Sequence, residues 1–154
     1  MNVVTIGTFD RFHYGHERLL SRCSDFLGTN GKLTVGVNSD SFVRQYKNVP
    51  VQPIEVRVAR VQEEIAHIPS KVRVHYGHTG AFIADIKPCI IVIGSDWGRR
   101  DYLAQLGIDW DWLDLHGIGL CYINYTHGIS STALREADLG PYFEGSVRDK
   151  EDPR

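Results

Sequence analysis

Long apolar runs are missing from this 154-residue chain. The longest, Cys89 to Ile93, has five residues, far short of the ~20 that carry a helix across a bilayer. A disulfide framework is missing too. Three cysteines, Cys23, Cys89 and Cys121, stand far apart without a Cys-x-x-Cys pair, which reads as reduced thiols in a cytosol-like compartment. Charge of one sign is absent. Lys and Arg number 17 against 19 Asp and Glu, for a formal net charge of −2. That excludes a global basic field for a nucleic acid polymer and a polybasic run for a membrane surface. No basic leader precedes Val3-Val4-Thr5-Ile6, so the expected location is cytoplasmic. No linker or low-complexity tract divides the chain, and a single domain is expected over residues 1–140, with residues 141–154 as a charged C-terminal tail.

What the chain does have is 42% hydrophobic residues, enough for a core without staples and too many for extended disorder. Apolar runs alternate with helical spacings, the signature of βαβ units around a parallel sheet. Strands are expected at Val3–Ile6, Leu33–Val37, Val72–Tyr76, Cys89–Ile93 and Leu120–Tyr125. Cys89–Ile93 is apolar throughout, as a strand buried on both faces must be. Leu19, Leu20, Cys23, Phe26 and Leu27 mark one helix face. Val58, Val61, Ile65 and Ile68 mark another, opened by Pro53 and closed by Pro69. Shorter helices are expected at 40–45, 81–86, 102–106 and 110–115, and a last one at 131–138. The fold class is α/β, a Rossmann-like doubly wound sheet of about five strands, for which the usual order is 3-2-1-4-5.

In such sheets, ligands sit beyond the C-terminal ends of the strands, where strand order reverses. Three polar, glycine-containing segments fall there: Gly7 to His16, Gly94-Ser95-Asp96-Trp97, and His127 to Thr132. The first puts His13 and His16 three apart at a helix start, with Gly15 between them, so both rings lie on one side of the first turn. Helix-start N–H groups and two imidazoles make an anion site, and the imidazoles can donate to a phosphate as charge builds on it. A metal-binding His pair and plain helix-start polarity are the other readings. The last segment sets Ser130, Ser131 and Thr132 after Gly128 at another helix start. That suits phosphate oxygens, or ordinary capping. Two such helix ends on one sheet rim point to a polyphosphate lying across the crevice.

Gly7-Thr8-Phe9-Asp10, then His13-x-Gly15-His16, then Gly128-Ile129-Ser130-Ser131-Thr132, in this order, resemble the HxGH nucleotidyltransferase superfamily over roughly residues 3–138. Within it the chain is most similar to the glycerol-3-phosphate cytidylyltransferase type, whose Gly-Asp-Asp-Trp segment is matched by Gly94-Ser95-Asp96-Trp97 with one change at Ser95. The resemblance implies transfer of CMP from CTP, with Mg2+ accompanying the triphosphate, to a small alcohol phosphate, releasing pyrophosphate without a covalent enzyme intermediate. It implies that His13 and His16 contact the nucleotide phosphates and stabilise the transition state. It also implies that Gly7, Thr8, Phe9, Asp10 and Gly15 wrap the nucleotide from one side, that Asp96 and Trp97 lie near the nucleoside, and that Gly128, Ile129, Ser130, Ser131 and Thr132 hold the triphosphate. No metal ligand is assigned to a protein side chain. Family members commonly pair, so a homodimer is among the expectations.

The chain departs from that pattern at phosphate-contacting positions. Family lysines in the loop after the second helix reduce to Lys47, with Arg44 as a substitute. Tyr125 stands where the family has an arginine, leaving Arg135 as a replacement cation. Arg57 matches a family arginine facing the site; the alternative is a salt bridge on an exposed helix. His75-Tyr76-Gly77-His78 repeats the letters of the first motif after the third strand, with no Gly-Thr-Phe-Asp before it. It reads as coincidence, with a metal site built from the His pairs as the alternative. Two rival functions stand beside the leading one: an adenylyltransferase of the pantetheine-phosphate type, and a catalytically weak nucleotide- or metal-binding module.

Overall fold

The computed structural model describes residues 1–46, 51–94 and 102–124. Five parallel strands form one sheet in the order β3-β2-β1-β4-β5: β1 Val3–Gly7, β2 Leu33–Asn38, β3 Ser70–His75, β4 Ile90–Gly94 and β5 Gly119–Ile123. The chain starts mid-sheet, winds outward through β2 and β3, then crosses back to place β4 on the other side of β1. Strand order therefore reverses between β1 and β4. Because every pair is parallel, the C-terminal ends of β1, β4 and β5 open on one rim, where such folds bind ligands.

Side chains alternate along the strands, and the two faces bury separate cores. Val3, Leu33, Val35, Val37 and Val92 pack on one face with Leu20, Cys23 and Leu27 from α1 (Tyr14–Asp25) and its end, and with Val61 from α3 (Ile54–Glu64). Val4, Ile6, Ile91 and Ile93 pack on the other. They meet Phe82 and Ile83 of α4 (Thr79–Ile86), Leu103 and Leu106 of α5 (Tyr102–Leu106), and Leu113 of α6 (Trp110–His116). The period of two across β1 and β4 is what a doubly covered strand requires. The short α2 (Asp40–Arg44) follows β2 and is capped by Ser39, whose Oγ accepts from Phe42 N at 3.1 Å.

The expected elements occur in the expected order, and the differences have local causes. Cys89 lies outside β4 and is exposed; its N–H donates to Asn2 O at 2.8 Å, just before the ladder begins. The third helix stops at Glu64 rather than running through Ile68, because Ile65 leaves helical geometry at φ −105°. Ile65 and Ile68 still pack on the core. β3 is shifted toward the N-terminus, ends at His75, and leaves Tyr76 exposed. The expected helix at 131–138 and the tail at 141–154 lie outside the described residues. Among the described residues, no helix is long and apolar enough to cross a membrane.

Candidate active site at the sheet rim

The site grows out of the end of β1. After Gly7 the chain bends through two non-glycine residues with positive φ, Phe9 at 55° and Arg11 at 49°. Phe9 is buried in the α1 side of the core, and its ring lies 5.3 Å from that of His16. Between the two, Asp10 is 9% exposed and its Oδ1 accepts the Gln52 N–H at 2.9 Å. Arg11 N–H donates in turn to Gln52 Oε1 at 2.9 Å. Thr8 Oγ1 shares a hydrogen bond with Tyr46 OH at 3.0 Å, and both receive Asn38 Nδ2.

His13 and His16 open α1 as a reciprocal capping pair. His13 takes the extended N-cap conformation, φ −142° and ψ −179°, and its Nδ1 accepts from Gly15 N at 3.0 Å. His16 Nδ1 accepts from His13 N at 3.1 Å. This is the capping-box arrangement with imidazoles in both roles. A ring nitrogen that accepts a backbone N–H cannot carry a proton, so each neutral ring carries its proton on Nε2. The rings stack with centroids 4.0 Å apart, and Phe12 packs on His16 at 5.1 Å. Burial holds the His13 pKa below its ordinary value, which favours the neutral donor form. Of the helix-start N–H groups that the sequence reading pairs with the two imidazoles, Gly15 N–H is taken by His13 Nδ1 and His16 N–H by His13 O at 2.9 Å.

Arg57 does not sit on an exposed helix face. Its side chain has no exposed surface, and four N–H bonds hold it in place. Nε donates to Gln52 O at 2.7 Å, Nη1 to Thr8 O and Asn38 O at 2.8 Å each, and Nη2 to Asp40 Oδ1 at 2.6 Å. It thereby clamps the ends of β1 and β2, the start of α2 and the approach to α3. A guanidinium with four of its five donors committed is a scaffold group in this arrangement. Arg44 ends α2 and is exposed.

The second His-Tyr-Gly-His is structural at its first histidine. His75 is fully buried at the end of β3, with Nδ1 on Asn38 Oδ1 at 2.9 Å and Nε2 on Thr79 Oγ1 at 2.8 Å. Phe42 and Phe82 meet it edge-on. Burial, then the nearby His78, lowers its pKa to about 4. With both nitrogens engaged, His75 has no lone pair to offer a metal. Among the described residues, no group of three or more His, Cys, Asp or Glu could hold a metal ion.

Lys47, Asp96, Trp97, Tyr125, Arg135 and the run Gly128, Ile129, Ser130, Ser131 and Thr132 lie outside the described residues. The structure brings together Gly7, Thr8, Phe9, Asp10, His13, Gly15 and His16 around the end of β1. Sequence reasoning passed over Gln52, Asn38 and Tyr46, which hold that loop in place. None carries a motif signal, though Gln52 before Pro53 marks a chain forced extended at a loop–helix junction.

Residues 4–137 match the cytidylyltransferase-like family. The chain is 37% identical to the phosphopantetheine adenylyltransferase of Pyrobaculum aerophilum, across 87% of this chain and 89% of that one. It is 32% identical to the glycerol-3-phosphate cytidylyltransferase of Bacillus spizizenii, across 87% and 94%. It is 32% identical to the FAD synthase of Methanopyrus kandleri across 61% of this chain and only 62% of that protein. The match to that organism's phosphopantetheine adenylyltransferase covers 36% of the relative. The crystal structure of a lipopolysaccharide core biosynthesis protein from Thermoplasma volcanium has the same fold, with a TM-score of 0.59 at 21% identity over 82% of this chain and 98% of that one. The family model and these relatives place the chain in the HxGH nucleotidyltransferase superfamily. The chain belongs to its cytidylyltransferase-like family.

Proposed function

We propose that the protein transfers CMP from magnesium-bound CTP to the phosphate of a small alcohol phosphate, glycerol 3-phosphate or a related polyol phosphate. The carrying observation is the stacked His13–His16 pair, with both Nδ1 atoms committed to backbone N–H groups and both protons on Nε2. Two neutral, oriented N–H donors suit the non-bridging oxygens of a phosphate that gains charge in the transition state. An oxygen of the acceptor phosphate forms a bond to the α-phosphorus. The bond from that phosphorus to the bridging oxygen breaks, and pyrophosphate leaves with the electron pair. No side chain needs to become a nucleophile, so the protein contributes positioning and charge stabilisation.

Glycerol phosphate as acceptor is supported by the match to glycerol-3-phosphate cytidylyltransferase over 94% of that relative. Arg11 directly after Phe9-Asp10, where the pantetheine-phosphate type usually carries a proline, and Gly128-Ile129 before the hydroxyl run, which that type lacks, support the cytidylyl choice. Adenylyl transfer to a pantetheine phosphate is the second reading, favoured by the 37% identity with the Pyrobaculum relative. Pyrophosphate release with CTP, ATP, UTP and GTP, each against glycerol 3-phosphate, pantetheine phosphate and a mixed pool of alcohol phosphates, separates the two. A clear ATP preference rejects the cytidylyl assignment. Inactivity with all four nucleotides rejects transfer to this class of acceptor.

A further inference from the structure

We propose that Gln52 is a positioning residue for this reaction, holding the Phe9–Arg11 bend that sets the His13–His16 pair. It rests on the transfer reading above and concerns a residue outside every motif of that reading. Positive φ at a non-glycine residue is strained and persists only where its surroundings over-determine it. Phe9 is held by burial and by its ring contacts with Phe12 and His16. Arg11 has an exposed side chain, so packing does not hold its backbone at φ 49°.

Gln52 grips the bend from two sides. Its Oε1 accepts Arg11 N–H at 2.9 Å and its own N–H donates to Asp10 Oδ1 at 2.9 Å. Gln52 is itself fixed, because its carbonyl accepts from the buried Arg57 at 2.7 Å and Pro53 follows it. Two residues beyond Arg11 lies His13, whose N–H is the donor that orients His16. Phe12, between them, packs on the His16 ring. If Arg11 relaxes toward negative φ, the approach to the N-cap rotates and both rings leave their places. The three hydrogen bonds of Gln52 go to Asp10, Arg11 and Arg57, so its effect on the chemistry runs through the loop. Only one of its three bonds uses the side chain, so a substitution removes the grip on Arg11 and leaves the backbone bonds standing.

The test compares full-length wild type with Gln52→Leu, Gln52→Ala, Gln52→Glu, Arg11→Gly and the Gln52→Leu/Arg11→Gly pair. Pyrophosphate release is measured with CTP, glycerol 3-phosphate and magnesium, beside thermal midpoints. Ring resonances of His13 and His16 are recorded without substrate. Gln52→Leu and Gln52→Ala should lower kcat about tenfold, with KM for CTP and the thermal midpoint little changed, and should move both ring resonances. Gln52→Glu keeps an acceptor oxygen and should restore kcat to within about twofold. Arg11→Gly, which meets no penalty at positive φ, should recover most of the loss in the paired variant. Unchanged kcat and ring resonances in a folded Gln52→Leu overturn the proposal. So does a loss that Gln52→Glu fails to restore, or failure of both truncations to fold. A wild type inactive with CTP and with ATP rejects the transfer reading instead; the ring resonances then still decide the role of Gln52.

Discussion

His-Tyr-Gly-His occurs twice, at residues 13–16 and 75–78, and the two copies fold into different objects. In the first, His13 caps a helix, Gly15 is already helical, and each ring lends Nδ1 to a backbone N–H. In the second, His75 ends a strand, Gly77 turns at φ +105°, and His78 precedes α4 without a side-chain cap. A Cβ on Gly77 would come within 2.8 Å of the Phe42 ring, so only glycine fits there. The preceding chain decides. A bend at Phe9–Arg11 delivers the first copy to a helix start at the rim. The β2–β3 ladder carries His75 into a site closed by Asn38, Thr79 and two phenylalanines. Identical letters give an outward pair of donors in one place and a buried hydrogen-bond relay in the other.

The sharpest break in this comparison comes from His16→Ala. Turnover should fall at least about a hundredfold, on the order of 3 kcal/mol, the scale of losing one oriented transition-state donor. KM for the nucleotide should change less, as steady-state kinetics will show. His13→Ala should act similarly and also loosen the helix start by ~1 kcal/mol, since it removes the N-cap acceptor. If His75→Ala cost as much turnover per folded molecule, the contrast between the copies would be wrong.

Much of this was legible beforehand. Cys89–Ile93 announced a doubly covered strand because burial on both faces leaves no polar position, and β4 does pair with β1. The edge position of the second histidine copy followed from the usual strand order. The clamp around Arg57 was not legible. Whether an arginine on a helix faces water or the sheet end depends on which carbonyls converge there, and Thr8 O, Asn38 O and Gln52 O come from three separate segments. The capping role of the histidines was hidden for a different reason. Histidine is not a usual capping residue, so the spacing showed two rings on one side but not which nitrogen each would use.

A second test targets the buried copy. His75→Ala removes a fully buried ring and leaves Asn38 Oδ1 and Thr79 Oγ1 without their partner. Unfolding free energy should drop by about 3 kcal/mol in chemical denaturation, with turnover of the folded fraction within a fewfold of wild type. Acid probes the same group without mutation. The folded pKa of about 4 lies below the ordinary 6.5, so between those values the unfolded chain binds a proton that the folded chain refuses. This contribution is fully present above pH 6.5 and is lost as pH falls toward 4. With the ring fully buried, the expected loss across that window is ~3 kcal/mol. Denaturant midpoints of wild type and His75→Ala should therefore converge as the pH is lowered through that window.

The smallest effect is expected at His78. It is exposed, and its side chain makes no capping bond at the start of α4. His78→Ala should leave turnover unchanged and stability within about 0.5 kcal/mol. One trace should remain. Burial is the larger cause of the low His75 pKa and the charge on His78 the smaller, so removing His78 should move the His75 titration upward while leaving it well below 6.5. Following the His75 ring resonance against pH in both proteins measures this directly. A shift in the opposite direction, or a His75 that titrates near 6.5 once His78 is gone, would mean that the second copy works as a coupled pair and that burial is not what keeps His75 neutral.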